Sequence, residues 1–302
     1  MKHIFVVNPA AGTKNPYDEI KSALESYKKL IDYEIYVTSR PLDATKFVHA
    51  YCMENSHPVR FYACGGDGTL NEVVNGAVGH SHAEVACYPC GSGDDFVKHY
   101  GGKERFINLP LNIEGVVEEI DLLKIGERYA ANVISFGFDS VVAKTIFNIK
   151  RKPVIGGRNS YYTGIALGLF TGMKNKCTVY VDGEKINSGE LLLCTIANGS
   201  YVGGHFKCAP RAKNNDGLIE VCLARPVSVL TFLRLAGKYR EGKHLDDPRF
   251  DGMMTYRQGK VVECESPDTK FCISVDGEVI NITRFTVEIV PKAIKFVVPG
   301  EK

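Results

Sequence analysis

The stretch Cys64-Gly65-Gly66-Asp67-Gly68-Thr69-Leu70-Asn71-Glu72 sets three glycines around one carboxylate. Glycine tolerates positive φ and lets a bound group come close to the backbone. Free backbone N–H groups at the start of a helix attract a phosphate. Asp67 is the odd member. A carboxylate facing phosphates is repulsive unless it binds a metal ion or takes a proton from an attacking hydroxyl. The plain alternative is a tight turn joining a strand to a helix. The five residues Gly65 to Thr69, placed between an apolar run and a helical pattern, argue against so bland a role. No G-x-x-x-x-G-K-S/T loop occurs, and no G-x-G-x-x-G follows a strand, so the common nucleotide loops are excluded.

Two further turns carry similar chemistry. Asn8-Pro9-Ala10-Ala11-Gly12-Thr13 follows the apolar run 3–8, and Pro89-Cys90-Gly91-Ser92-Gly93-Asp94-Asp95 follows the run Glu84 to Tyr88. The elements that must position these turns can be read from hydrophobic period. Strands are expected at 3–8, 33–37, 59–63 and 84–88, with helices over Tyr17 to Lys29 and Asp43 to Tyr51, and a third entered near Leu70. This alternation is an open α/β sheet, with ligand loops at the carboxyl ends of its strands. All three glycine turns then share one edge.

From about residue 116 the texture changes. Glu118 to Ile125 and Arg128 to Phe136 read as a hairpin. Helical stretches follow Gly137 and over 157–172. Cys177 to Val181, Lys185-Ile186, Gly189 to Asn198, Leu218 to Leu223, Lys260 to Cys264, Phe271 to Val275 and Arg284 to Val290 read as strands, with Ile294 to Val298 as the last. Asp182-Gly183 is a strong hairpin signal. Val227 to Lys238 reads as an amphipathic helix. The expectation is two domains: an N-terminal α/β domain over 1–115 and a β-rich, sandwich-like domain over 116–290. Segment 291–302 could return to the first domain.

The glycine turn resembles that of the diacylglycerol kinase catalytic domain, whose superfamily includes sphingosine and ceramide kinases. The resemblance spans nearly the whole chain. It covers the Asn-Pro-x-x-Gly turn, the central motif, the Gly91 to Lys98 segment, the Lys213-Asn214-Asn215-Asp216-Gly217 loop and Asp276-Gly277-Glu278. It implies ATP as co-substrate, a lipid hydroxyl as acceptor (diacylglycerol giving phosphatidic acid foremost), and Mg²⁺. It assigns Asn8, Pro9, Gly12, Thr38, Gly65, Gly66, Asp67, Gly68, Thr69, Asn71 and Ser92 to the nucleotide site. It assigns the Asp216 carboxylate and the carbonyls of Lys213 and Leu218 to the metal, with Asp121 holding it through water. Glu278 is the implied proton acceptor, and Asp67 the competing base. Thr38 could equally be an ordinary capping hydroxyl. Ser92 stands where the family has Thr, Asp94 where it has Asn, and Lys98 where it has Arg. Asp94 exchanges an amide for an anion and loses a donor. It either joins a metal site or raises the electrostatic cost of binding ATP.

Composition agrees with a globular protein. The chain has 302 residues, 44% hydrophobic and 24% charged. That suffices for two domains. The net charge of +2 gives no bulk drive towards nucleic acid. No signal peptide or membrane span is read, so a cytoplasmic protein touching the inner membrane face is expected, with a homodimer allowed. The basic group Lys150-Arg151-Lys152, with Arg158, is either a solvated surface or a contact for anionic headgroups. Ten cysteines, mostly in apolar strands, read as reduced thiols. Cys87-Tyr88-Pro89-Cys90 lacks the partners of a zinc site and leaves a redox reading. Two rivals stand beside the lipid kinase: a kinase of a soluble substrate such as NAD, and a nucleotide-binding protein that has lost catalysis.

Overall fold

The computed structural model describes residues 1–12, 16–150 and 172–300. The chain forms two compact units. The first comprises Met1–Leu122, Asn214–Asp216 and Val290–Lys302. The second comprises Leu123–Lys213 and Gly217–Ile289.

The first unit alternates β1 (Lys2–Val7), α1 (Pro16–Ser26), β2 (Asp32–Val37), α2 (Asp43–Glu54), β3 (Val59–Gly65), α3 (Asp67–Ala77) and β4 (Ala83–Pro89). A short 3₁₀ turn, Phe96–Tyr100, follows, then α4 (Lys103–Phe106) and α5 (Leu109–Ile113). The strands pair in parallel in the order β2-β1-β3-β4. Lys295 and Phe296 near the C-terminus add in parallel to β4, opposite Glu84 and Val85. Strands β1 and β3 are apolar along most of their length because helices must cover both faces of a parallel sheet. Phe5 and Tyr62 stack at 4.2 Å in this core, beside Ile20, Leu24 and Val297. Full burial of each large side chain contributes about 1.5–3 kcal/mol. Arg60 pairs with Glu84 at 2.7 Å and donates to the Ile113 carbonyl at 2.7 Å, which ties the end of α5 to the sheet.

The second unit is built from β5 (Val116–Ile125, whose last three residues belong here), β6 (Arg128–Ala130), β7 (Val133–Gly137), α6 (Phe138–Lys150), β8 (Asn175–Lys176), β9 (Thr178–Val181), β10 (Glu184–Lys185), β11 (Glu190–Leu191), β12 (Leu193–Ala197) and β13 (Ile219–Ala224). Then come α7 (Val229–Arg240), β14 (Met254–Gly259), β15 (Val261–Glu265), β16 (Cys272–Val275), β17 (Glu278–Asn281) and β18 (Arg284–Val298), the last of which runs on into the first unit. One antiparallel sheet has the order β14-β13-β12-β7-β16-β17. A second runs β10-β9-β15 onto the first half of β18. Phe136, Ile196, Val221 and Ile273 of one sheet share a sealed core with Val179, Val262, Phe285 and Val287 of the other. The fold is thus α/β with a C-terminal β-sandwich.

Several sequence expectations are corrected. Arg128 to Phe136 is two strands, not one. The chain turns between Ala130 and Val133, where the Asn132 carbonyl accepts the amides of Asn198 and Gly199. Gly189 to Asn198 likewise splits, with Leu192 between β11 and β12. Arg284–Val298 is one 15-residue strand where two were expected. It passes Pro291 and bends at Lys292, whose φ is +51°. Strands β14 and β17 were not foreseen. The helix expected over 157–172 lies outside the described residues but for its last position, as do Thr13, Arg151, Lys152 and Arg158.

Candidate active site

The three glycine turns meet at the carboxyl edge of the first unit's sheet. A Cβ on Gly12, whose φ is +70°, would lie 2.4 Å from the Cys90 carbonyl oxygen. A Cβ on Gly91 would lie 2.6 Å from the Gly66 Cα. Only hydrogen fits at these crossings, so each glycine is required by close approach. The Cys90 amide donates to the Gly65 carbonyl at 2.8 Å and closes the third turn onto the second.

Asp67 opens α3, with Gly66 extended before it. Its Oδ1 accepts the backbone N–H groups of Asp95 at 2.8 Å and Phe96 at 3.2 Å. The carboxylate therefore fixes the Gly91–Asp95 turn as well as standing in the glycine motif. Asn8 Nδ2 donates to Thr69 Oγ1 at 3.1 Å, and Asn8 Oδ1 accepts the Ala10 amide at 3.0 Å. One asparagine thus joins the first turn to the central motif. Pro9, Gly12, Gly68 and Ser92 are exposed around this edge, and Thr69 is buried under it. Asn71 lies one turn into α3 and accepts from Asn75. Thr38 follows β2 on the same edge, but its hydroxyl and amide both donate to the Val7 carbonyl. Glu72 serves structure: its two oxygens accept the amides of Leu42 and Ala44, the uncapped start of α2.

Asp94 has a local explanation. Its φ is +48°, a conformation that Asn and Asp tolerate best among non-glycine residues. Its Oδ1 accepts the Gly91 amide at 3.0 Å, and its Oδ2 faces Lys103 Nζ at 3.3 Å. Burial holds the carboxyl above its ordinary range, and Lys103 opposes that rise. The extra anion is therefore paired within the protein. Lys98 donates to the Gly93 carbonyl at 2.7 Å and pairs with Asp95 at 2.6 Å, again stitching the turn.

Asp121 is fully buried. Its amide donates to the Asn214 carbonyl at 2.7 Å, and its Oδ1 accepts the Lys292 amide at 2.8 Å. Asn214 Nδ2 donates to the Tyr100 hydroxyl at 2.6 Å. The loop carrying Asp216 is thereby anchored beside Asp121. Asp216 and Lys213 are exposed and Leu218 is half-buried. Among the described residues, no group of three or more His, Cys, Asp or Glu side chains is placed to hold a metal. The carboxylates and carbonyls of this loop are hard oxygen donors, the kind that Mg²⁺ and Ca²⁺ accept.

In the second unit, Asp276 and Gly277 form the two-residue turn of the β16–β17 hairpin, both at positive φ. The Asp276 carboxylate accepts three backbone amides, from Ala131 at 2.8 Å, Asn132 at 3.1 Å and Val133 at 2.9 Å. It pins the hairpin to the corner between β6 and β7. Glu278 is the first residue of β17 and pairs with Arg128. Its side chain is 58% exposed, so the pair is worth little and exchanges readily.

Beside this hairpin lies a cavity of about 310 Å³. Its wall includes Phe138, Leu193, Phe232, Leu235 and Met254, and Gly277, next to Glu278, reaches it. Asp139 and Tyr239 are among its few polar lining residues. Sequence reasoning missed the cavity. Its one local signal was Asp139, an acid among apolar residues at the start of a helix. The thiols of Cys87 and Cys90 are pushed up by burial, that of Cys90 to about 12, which leaves little thiolate for redox chemistry. None of the ten cysteines forms a disulfide.

Comparison with known proteins agrees with both halves of this arrangement. Residues 2–125 match the diacylglycerol kinase catalytic domain. Residues 132–298 match the YegS C-terminal NAD kinase beta sandwich-like domain. The chain is 24% identical over 299 residues to the diacylglycerol kinase of Bacillus subtilis (strain 168), covering 95% of each protein. It is 26% identical over 273 residues to a YegS-like protein named as a lipid kinase from Shewanella frigidimarina (strain NCIMB 400), covering 88% of this chain and 84% of that one. A solved structure of a diacylglycerol kinase from Bacillus anthracis str. Sterne superposes with a TM-score of 0.71 at 20% identity, covering 98% of this chain and 96% of that one. With the glycine-turn edge in one unit and the sandwich in the other, the chain belongs to the diacylglycerol kinase and YegS family of bacterial lipid kinases.

Proposed function

We propose that this protein transfers the γ-phosphoryl group of ATP to the hydroxyl of a lipid, with diacylglycerol the acceptor that the relatives' names suggest. The observation that carries the reading is the apolar cavity beside the Asp276-Gly277-Glu278 hairpin. A kinase of a small soluble substrate has no use for such a wall; an acyl chain does. Asp94 in place of the family's Asn favours a non-catalytic protein only as an uncompensated anion, and Lys103 supplies it with a countercharge.

Phosphoryl transfer needs positioning and charge neutralisation more than covalent catalysis. In the first unit, the backbone N–H groups near Gly65, Gly66 and Gly68 donate to phosphate oxygens, and Asn8, Pro9, Gly12, Thr69, Asn71 and Ser92 frame them. Thr38 borders the nucleotide at the end of β2. In the second unit, Glu278 leaves Arg128 and accepts the proton of the lipid hydroxyl. The hydroxyl oxygen bonds to the γ-phosphorus, the bond to the β-phosphate oxygen breaks, and ADP leaves. Asp216 and the carbonyls of Lys213 and Leu218 would hold Mg²⁺, with Asp121 behind them. That ion would supply charge neutralisation to the phosphates. Asp67 is the alternative base, although its Oδ1 is committed to two amides.

No described helix is long and apolar enough to cross a membrane. Leu230 and Leu233 on α7 are 79% and 57% exposed, and Leu233 also lines the cavity. Exposed Arg234 stands beside them. This face is the proposed contact with the bilayer from which the lipid enters. Measuring lipid-dependent ADP formation in Asp67→Asn and Glu278→Gln tests the assignment. Both variants should stay folded and lose transfer. Near-normal turnover in Glu278→Gln would remove it as the base.

A further inference from the structure

The wall of the cavity is apolar except at a few places, and one of these, Asp139, has an unsatisfied oxygen. Asp139 retains some exposure as a residue, but its Oδ2 is buried with no hydrogen-bond partner among the described residues. The Tyr239 hydroxyl is also buried, beside the Thr195 hydroxyl. The two side chains come from different elements, the first turn of α6 and the last turn of α7. They are close enough for the Asp139 charge to be felt at Tyr239.

An unpaired carboxylate in an apolar cavity is a standing cost. Burial pushes its pKa up to about 6, so it is still mainly ionised at neutral pH. A purely structural cavity would be filled by hydrocarbon at this position. A carboxylate there is satisfied only by a donor, and Asp139 lines the cavity and keeps some exposure as a residue.

We propose that Asp139, with Tyr239 beside it, binds a hydrogen-bond donor of the lipid other than the hydroxyl that receives phosphate. The ligand class is a lipid with a second hydroxyl or an amine. The proposal rests on the reading of the cavity as the lipid site and, within it, favours such a lipid over diacylglycerol. The chemistry carries the distinction. A diacylglycerol has one hydroxyl, which is consumed in the reaction. Its ester oxygens only accept, so they would face the lone pairs of Asp139. A monoacylglycerol keeps a second donor, and the Tyr239 hydroxyl can donate to that same oxygen.

The test uses the whole protein and two probes of equal chain length, 1,2-dodecanediol and 1,2-dimethoxydodecane, titrated calorimetrically. The wild-type protein should bind the diol at least tenfold more tightly than the diether. In Asp139→Asn that ratio should fall below threefold. In Asp139→Leu the diether should bind at least as tightly as the diol, with thermal melting confirming both folds. Equal binding of the two probes by the wild-type protein overturns the proposal, as does a ratio unchanged in both variants. A second arm compares kcat/KM for 1-dodecanoylglycerol and 1,2-dioctanoylglycerol. A wild-type preference for the monoacyl lipid that is lost in Asp139→Asn supports the proposal. Transfer to both lipids in a ratio indifferent to Asp139 overturns it and leaves the kinase reading standing. Probe discrimination without any lipid phosphorylation keeps the donor site and overturns the kinase reading.

Discussion

Replacing Asp139 by asparagine should stabilise the protein at neutral pH, and the gain should vanish on acidification. The carboxyl is raised to about 6 in the folded protein, with burial as the cause, from an ordinary value of 3.8. A folded pKa above the unfolded one means that the native state binds more protons between these values. Stability then falls as pH rises through that window and carries the full penalty above it. At 1.36 kcal/mol per pKa unit, the charge of Asp139 costs ~3 kcal/mol at pH 8. The same linkage leaves ~1.6 kcal/mol at pH 5 and ~0.5 kcal/mol at pH 4. Asparagine has the same shape and no charge, so its own unsatisfied amide adds an offset that does not vary with pH. The quantity to read is therefore the difference between Asp139→Asn and wild type as a function of pH. Urea unfolding at pH 5, 6, 7 and 8 supplies it. The difference should grow by about 1.4 kcal/mol from pH 5 to pH 8. A flat difference would show that Asp139 is not desolvated in the folded protein, and the cavity argument would lose its anion.

Other substitutions test the remaining parts. Gly91→Ala places a methyl 2.6 Å from Gly66 Cα, and should cost about 1–3 kcal/mol in unfolding and weaken ATP binding measured by equilibrium dialysis. Asp276→Ala strips three backbone amides of their acceptor and should cost ~3 kcal/mol. Glu278→Gln, two residues on, should leave thermal melting nearly unchanged while lowering lipid phosphorylation by about 100-fold or more. Glu84→Gln leaves the Arg60 guanidinium, 8% exposed, without its countercharge and should cost about 3–5 kcal/mol by urea unfolding.

The glycine turns were legible because their chemistry is local. A run of residues sets each strand, and glycine marks each crossing. What sequence could not show was that Gly12 is held against Cys90 and Gly91 against Gly66, since both contacts depend on which strands pair. The double duty of Asp67 was hidden for the same reason: its amide partners lie 28 and 29 residues away. Asp276 reads locally as a turn former, yet its carboxylate is spent on amides more than 140 residues upstream. The hairpin strand β17 was missed because it is only four residues long, Glu278–Asn281, and carries little alternation of its own. The cavity left no periodic trace. Its wall is assembled from Phe138, Leu193, Phe232 and Met254, which come from separate elements and look like ordinary core residues in sequence.

The central claim, γ-phosphoryl transfer to a lipid, is tested most directly with labelled ATP, Mg²⁺ and a panel in mixed micelles. The panel holds diacylglycerol, monoacylglycerol, sphingosine, ceramide and phosphatidylglycerol, with NAD as a soluble control. The account predicts label in at least one lipid and none in NAD. Label in NAD alone, or ATP binding without any labelled lipid, would contradict it.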